Sequence, residues 1–185
     1  MAEDVVKDLK QRIEKTLQDL QKDLAKLRTG RANTAMLEGI KVDYYGTPTP
    51  LAGVGTVSVP DARLITIKPW DRSTIPAIEK AINEAQLGIN PANDGETVRL
   101  PIPALTEERR KEMVKVVKAK GEEHKVAVRN LRRDANERLK ALEKEKALSA
   151  DDLKRESERV QKETDAGIGR VDEVLARKEK ELMEI

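Results

Sequence analysis

The chain has no cysteine and no phenylalanine, and aromatic residues make up only 2% of it. Without cysteine there is no disulfide, no thiol nucleophile and no thiolate metal site. The single histidine, His124, falls on an apolar helical stripe with no second set of metal donors beside it, so it reads as a packing residue. Scarce aromatics argue against one broad globular core and against a surface that stacks single-stranded bases. Long hydrophobic runs are missing too, so no segment reaches the length needed to cross a bilayer. The first twelve residues have neither the apolar core of a secretory signal nor an acid-poor transit pattern. No Walker sequence occurs. Gly53-Val54-Gly55 leads into a strand pattern rather than a helix, and no carboxylate pair stands out from the charged helix faces. The expectation is a cytoplasmic protein with no catalytic residue, cofactor, metal or membrane partner.

Charged residues, by contrast, are abundant, at 38% of the 185 residues. The net charge of +2 hides an uneven distribution: residues 106–146 carry 14 basic against 9 acidic side chains, and residues 147–185 carry 8 against 11. A polyanion partner is suggested by the first of these segments and not by the chain as a whole.

Three stretches have helical periodicity. In residues 3–28, Val6, Leu9, Ile13, Leu17, Leu20, Leu24 and Leu27 recur at steps of three and four, and Gly30 follows as a stop. In residues 106–146 the stripe includes Met113, Val117, His124, Val128, Leu131, Ala135, Leu139 and Leu142, with Thr106 as N-cap. In residues 150–184 it includes Val160, Thr164, Ile168, Val171, Leu175 and Leu182, and Ser149 with Asp152 resembles a capping box. The short link at 146–149 makes the last two helices an antiparallel hairpin, and three stripes close a three-helix bundle. The alternative is a coiled coil between chains, against which the heptad slips between Leu9 and Leu17. A monomer is expected.

Residues 31–104 differ in kind, holding all 8 prolines and most of the glycines. Ile40, Val42 and Tyr44 alternate with polar neighbours as in a half-buried strand. Val57 and Val59 lead through Pro60-Asp61-Ala62 to Leu64, Ile65 and Ile67, a hairpin pattern. Ser73 or Thr74 caps a helix bearing Ile78, Ala81, Ile82 and Ala85 and closed by Gly88, and Val98, Leu100 and Ile102 form a last strand. Trp70, Tyr44 and Tyr45 read as core or rim residues of this part. The fold class is α+β: a long three-helix bundle, residues 1–30 and 105–185, with an inserted small β/α/β domain, residues 31–104. The crossings at Thr29-Gly30-Arg31 and Pro103-Ala104-Leu105 form either a hinge or a rigid joint.

The most informative segment runs from His124 to Arg133. Lys125, Arg129, Arg132 and Arg133 fall at i, i+4, i+7 and i+8 with no acid among them, so they share one helix face. Such a face either neutralises successive phosphates or is a solvated surface balanced by the acidic last helix. With no aromatic on it, it suits structured RNA gripped by its backbone, and it gives no reason to expect a DNA partner. Taken alone, these residues also fit a standalone helical RNA-binding or scaffold protein.

Four segments then stand out together: Arg28-Thr29-Gly30-Arg31-Ala32, Asp43-Tyr44-Tyr45-Gly46-Thr47-Pro48-Thr49-Pro50-Leu51, Leu105-Thr106-Glu107-Glu108-Arg109-Arg110-Lys111 and Val128-Arg129-Asn130-Leu131-Arg132-Arg133-Asp134-Ala135-Asn136. In order and spacing the chain resembles the ribosome recycling factor family of bacterial type. The resemblance implies an L-shaped, hinged protein that binds the post-termination ribosome. It implies contact of the bundle with large-subunit ribosomal RNA, and elongation factor G with GTP as the partner that drives subunit separation. The family's RNA-contacting arginines carry over to Arg129, Arg132, Arg133 and Arg28. Gly167 and Gly169, in the middle of the last helix, depart from the family pattern.

Overall fold

Three amphipathic helices and one small sheet account for most of the chain, and each stripe read from the sequence becomes a buried seam. The structure, a computed structural model, describes residues 2–184. It divides into two units, Met1–Leu24 with Lys111–Ile185, and Ala25–Arg110.

Helix α1 is Ala2–Ala25, and its Val6, Leu9, Ile13, Leu17, Leu20 and Leu24 are all buried. It stops three residues short of the expected end, so Leu27 lies beyond it and is half-buried. Helix α3, Glu107–Lys144, buries Val117, Gly121, Val128, Ala135 and Leu139. Helix α4, Ala150–Met183, is uninterrupted and buries Val160, Thr164, Gly167, Val171, Leu175 and Leu182. Each fully buried Leu or Val contributes about 1.5–3 kcal/mol to holding the seam closed.

Polar groups on these seams find local partners. The Thr164 hydroxyl donates to the Val160 carbonyl at 2.8 Å. Buried Glu156 accepts from Arg159 at 2.9 Å, and buried Lys178 lies 3.3 Å from Glu181. Such pairing removes most of the penalty of burying a charge.

Cross-helix pairs show the register. Asp8 with Arg138 at 2.6 Å and Arg12 with Asp134 at 3.6 Å set α1 antiparallel to α3. Lys10 with Glu163 at 3.0 Å and Glu14 with Arg170 at 2.7 Å set α1 parallel to α4. The Arg170 guanidinium holds the Glu14 carboxyl below its usual range. Lys125 with Asp172 at 2.5 Å and Arg132 with Gln161 at 3.3 Å set α3 antiparallel to α4. Exposed pairs of this kind contribute little stability singly, so they mark the register more than they enforce it.

Two glycines allow the helices to close. A Cβ on Gly121 would lie 2.2 Å from Leu175 Cδ1, and one on Gly167 would lie 2.8 Å from Ile13 Cγ2 and 3.6 Å from Val128 Cγ1. At Gly167 all three helices therefore meet. Gly169 has nothing within 4 Å. The two α4 glycines are therefore distinguished by packing.

A Schellman closure links α3 to α4: Ala147 N–H donates to the Leu142 carbonyl and Lys146 N–H to that of Glu143, both at 2.9 Å. Lys146 takes the left-handed position at φ 59° that glycine more often fills. Ser149 then caps α4, its Oγ accepting the Asp152 N–H at 3.1 Å.

In the Ala25–Arg110 unit, strands β1 (Lys41–Tyr44) and β2 (Thr47–Pro50) pair antiparallel. Tyr45 and Gly46, at φ 50° and 83°, make the tight turn between them, and Asp43 accepts the Gly46 N–H at 2.8 Å. Strands β3 (Gly55–Asp61), β4 (Leu64–Pro69), β5 (Ala92–Asn93) and β6 (Val98–Pro101) form an antiparallel sheet of order β3-β4-β6-β5. Helix α2, Ile75–Glu84, adds Ile78 and Ile82 to a core with Ile65, Ile67, Val98 and Leu100. The side chain capping the entry to α2 belongs to neither Ser73 nor Thr74. Asp71 accepts the Ser73 N–H at 2.9 Å, while Thr74 makes no side-chain cap bond. The Tyr45 hydroxyl donates to the Asp71 carboxylate, and with Ser73 it holds that carboxyl below its usual range. Gln86, at φ 50°, turns the chain after the helix before Gly88 is reached. Trp70 and Tyr45 stand outside the core, 71% and 75% exposed.

The two glycine environments call for opposite outcomes. Gly169→Ala adds helix propensity in open space, so it should stabilise the protein by about 0.5–1 kcal/mol. Gly121→Val drives a branched side chain into Leu175 and should cost about 1–3 kcal/mol. Thermal unfolding followed by circular dichroism separates them: the first substitution raises the midpoint and the second lowers it. Equal effects of the same sign would show that α3 and α4 do not close at Gly121.

Candidate nucleic-acid interface

Since one side of α3 is committed to the seam, its bases are left to the remaining faces, where they divide by what they touch. Arg129, Arg132 and Arg133 line one groove, of about 520 Å³, together with Asn130, Asn136, Glu137 and Lys140 from α3 and Gln161 from α4. Positions 129, 132, 133, 136 and 140 follow the i, i+3, i+4, i+7, i+11 rule of a single helix face. Four bases and one acid face this groove, and no aromatic lies among them.

The bases are held differently. Arg129 Nη1 lies 2.9 Å from Glu122 on the preceding turns of α3. Arg132 Nη1 donates to the neutral Gln161 Oε1 at 3.3 Å. Arg133 and Lys140 make no ion pair among the described residues. The Asn136 side-chain oxygen is buried and has no hydrogen-bond partner. A groove with uncommitted cationic donors can take a phosphate-rich ligand.

Two of the sequence candidates lie elsewhere. Lys125 is a turn before Arg129 but is turned into the helix pair, with its side chain 19% exposed and its ammonium on Asp172. Arg28 is in the other unit, where its Nη2 donates to the Gln86 carbonyl at 3.1 Å. The residues Thr29, Gly30, Arg31, Pro103, Ala104 and Leu105 also lie in the Ala25–Arg110 unit. There Gly30, at φ 77°, backs onto Leu105, and a Cβ would come within 3.2 Å of the Leu105 nitrogen. His124 packs as expected, its Nδ1 2.8 Å from the Lys120 carbonyl and its Nε2 3.9 Å from Asp23.

Asn136 and Lys140 were not singled out from the sequence, because the acid-free run ends at Asp134. That acid points to another face and pairs with Arg12 on α1, so the basic face continues past it. Gln161 left no signal in the sequence of α3 at all, since it arrives from α4.

With this geometry in place, comparison with known proteins is direct. The family model described as ribosome recycling factor matches residues 20–183. A ribosome-recycling factor of Myxococcus xanthus is 62% identical over 185 residues, covering 100% of both chains. One from Syntrophomonas wolfei is 56% identical over the same span, again covering 100% of both. A solution structure of ribosome recycling factor superposes with a TM-score of 0.78 at 43% identity, covering 100% of this chain and 98% of the other. A second structure presents the T. thermophilus ribosome recycling factor and the E. coli elongation factor G bound to the E. coli post-termination complex. It matches with a TM-score of 0.68 at 43% identity over 100% of both chains. The chain belongs to the ribosome recycling factor family.

Proposed function

We propose that this chain binds the post-termination ribosome through large-subunit ribosomal RNA and, with elongation factor G and GTP, promotes subunit dissociation so that ribosomes are reused. Family membership over residues 20–183 supports this reading, as do the models in which a relative and elongation factor G are bound to the post-termination complex. The observation that carries it to particular residues is the α3 groove, where arginines gather on the face left free by the bundle. Arg132, Arg129 and Arg133 are the proposed RNA contacts, with Lys140 extending them. Lys125, one turn before Arg129, must release Asp172 to reach the same RNA. Arg28, exposed in the other unit, has further guanidinium donors to offer a phosphate beyond the one given to Gln86. The family is one of non-catalytic translation factors, and in this reading the free energy comes from the GTP of elongation factor G. The setting is the cytoplasm, where bacterial ribosomes work.

Residues 1–30 with 105–185 are proposed to act as the RNA-binding domain, residues 31–104 as the inserted one, and Thr29–Arg31 with Pro103–Leu105 as the hinge. The pairing of Gly30 with Leu105 supports treating both crossings as one device. Gly30→Ala places a Cβ at a left-handed position and presses it on Leu105, which should cost about 1 kcal/mol or more. It should slow factor-dependent subunit splitting several-fold more than it weakens large-subunit binding. Equal loss of both would show that the site serves folding or RNA contact instead.

The direct test of the groove is co-sedimentation with large subunits over a range of salt. Arg132→Ala removes a forked cationic donor and should cost about 1–3 kcal/mol, roughly 5- to 150-fold in affinity. The slope of log affinity against log salt should become shallower by about one phosphate contact. Lys144→Ala, in the last turn of α3 between Glu143 and Glu145, should change neither quantity. A parent-like Arg132→Ala together with a defective Lys144→Ala would move the interface off this groove.

A further inference from the structure

Gln161 has two hydrogen bonds that fix its orientation. Its Oε1 accepts from Arg132 Nη1 at 3.3 Å, and its Nε2 donates to Asp165 Oδ1 at 2.8 Å. A guanidinium only donates and a carboxylate only accepts, so a single amide orientation satisfies both neighbours. Asp165, one turn along α4, therefore sets which end of Gln161 faces the groove.

Two of the nearby bases are held by acids. Lys125 lies against Asp172 and Arg129 against Glu122, so a phosphate must compete with a carboxylate for each. Arg132 alone among the three is steadied by a neutral oxygen. Its side chain loses rotamer freedom before any ligand arrives, yet its charge is not neutralised. Ordering a long side chain in advance lowers the entropic cost of binding.

On the reading of the α3 groove given above, we propose that Gln161 is a positioning residue for RNA binding: it presents Arg132 to phosphate. Nothing in the sequence of α3 carries this role, because it depends on the α3–α4 register.

Two substitutions at this exposed position test it, read by large-subunit affinity and its salt dependence, with thermal unfolding as the check on folding. Gln161→Leu removes the acceptor without changing charge. It should lower affinity by about 2- to 12-fold, the worth of one neutral hydrogen bond, and leave the salt slope unchanged. Gln161→Glu gives Arg132 a carboxylate partner. It should lower affinity further and flatten the slope by about one phosphate contact, and most of that flattening should vanish in an Arg132→Ala background. In an Arg132→Ala background, Gln161→Leu should have no additional effect. Parent-like binding by Gln161→Leu, or an equal loss with and without Arg132, overturns the positioning role. If Arg132→Ala keeps full affinity, the groove reading fails and the positioning role fails with it. If only Arg132→Ala loses affinity, the groove stands and the role of Gln161 is rejected.

Discussion

The close fit of α1 between α3 and α4 is the constraint on which the rest of this molecule depends. In the sequence α1 is separated from α3 by the whole inserted segment, yet Leu9, Leu17 and Leu20 are fully buried in the bundle. Where Gly167 admits Ile13 and Val128, and Gly121 admits Leu175, there is no room for a side chain. Close packing of this kind fixes the rotation of each helix about its axis, since a rotation of one position would place charges in the seam. Once α3 is fixed in this way, the direction of every base on it follows.

Electrostatics then separates two populations of cations. Those near the seams, including Lys125, Arg138 and Arg170, are matched by acids on neighbouring helices. Those in the groove are matched incompletely or by a neutral amide. The net charge of +2 conceals this, because acids elsewhere offset the groove's four bases, and only Glu137 lines the groove itself. Affinity for a polyanion is governed by the charges left uncommitted, and salt dependence reports their number.

The helices were legible in the sequence because a period of 3.6 survives wherever one face is buried. Gly121 was passed over between Val117 and His124, because a glycine in a charged helix does not register as a core residue. Glu156 and Lys178 were missed for the converse reason, since hydropathy does not reveal a buried charge with a local partner. Strand β2 was not foreseen: Pro48 and Pro50 argue against a strand, and they are tolerated because β2 pairs only with β1. Asp71 took the cap assigned to Ser73 or Thr74, because a 3-10 turn precedes α2. At the groove, the three arginines were legible because they lie on one helix. Lys125 was grouped with them by spacing, and only the position of Asp172 shows that its ammonium is engaged. Gln161 required the tertiary register.

The central claim is that the groove face of α3 lies against ribosomal RNA. Site-specific photo-crosslinking tests it most directly, with a photoreactive side chain at the exposed Asn130, beside the groove arginines, and a matched control at exposed Lys180 on α4. On large subunits, position 130 should crosslink to ribosomal RNA in a salt-sensitive manner, and position 180 should not. RNA crosslinks from position 180 with none from position 130, at equal occupancy, would contradict the account.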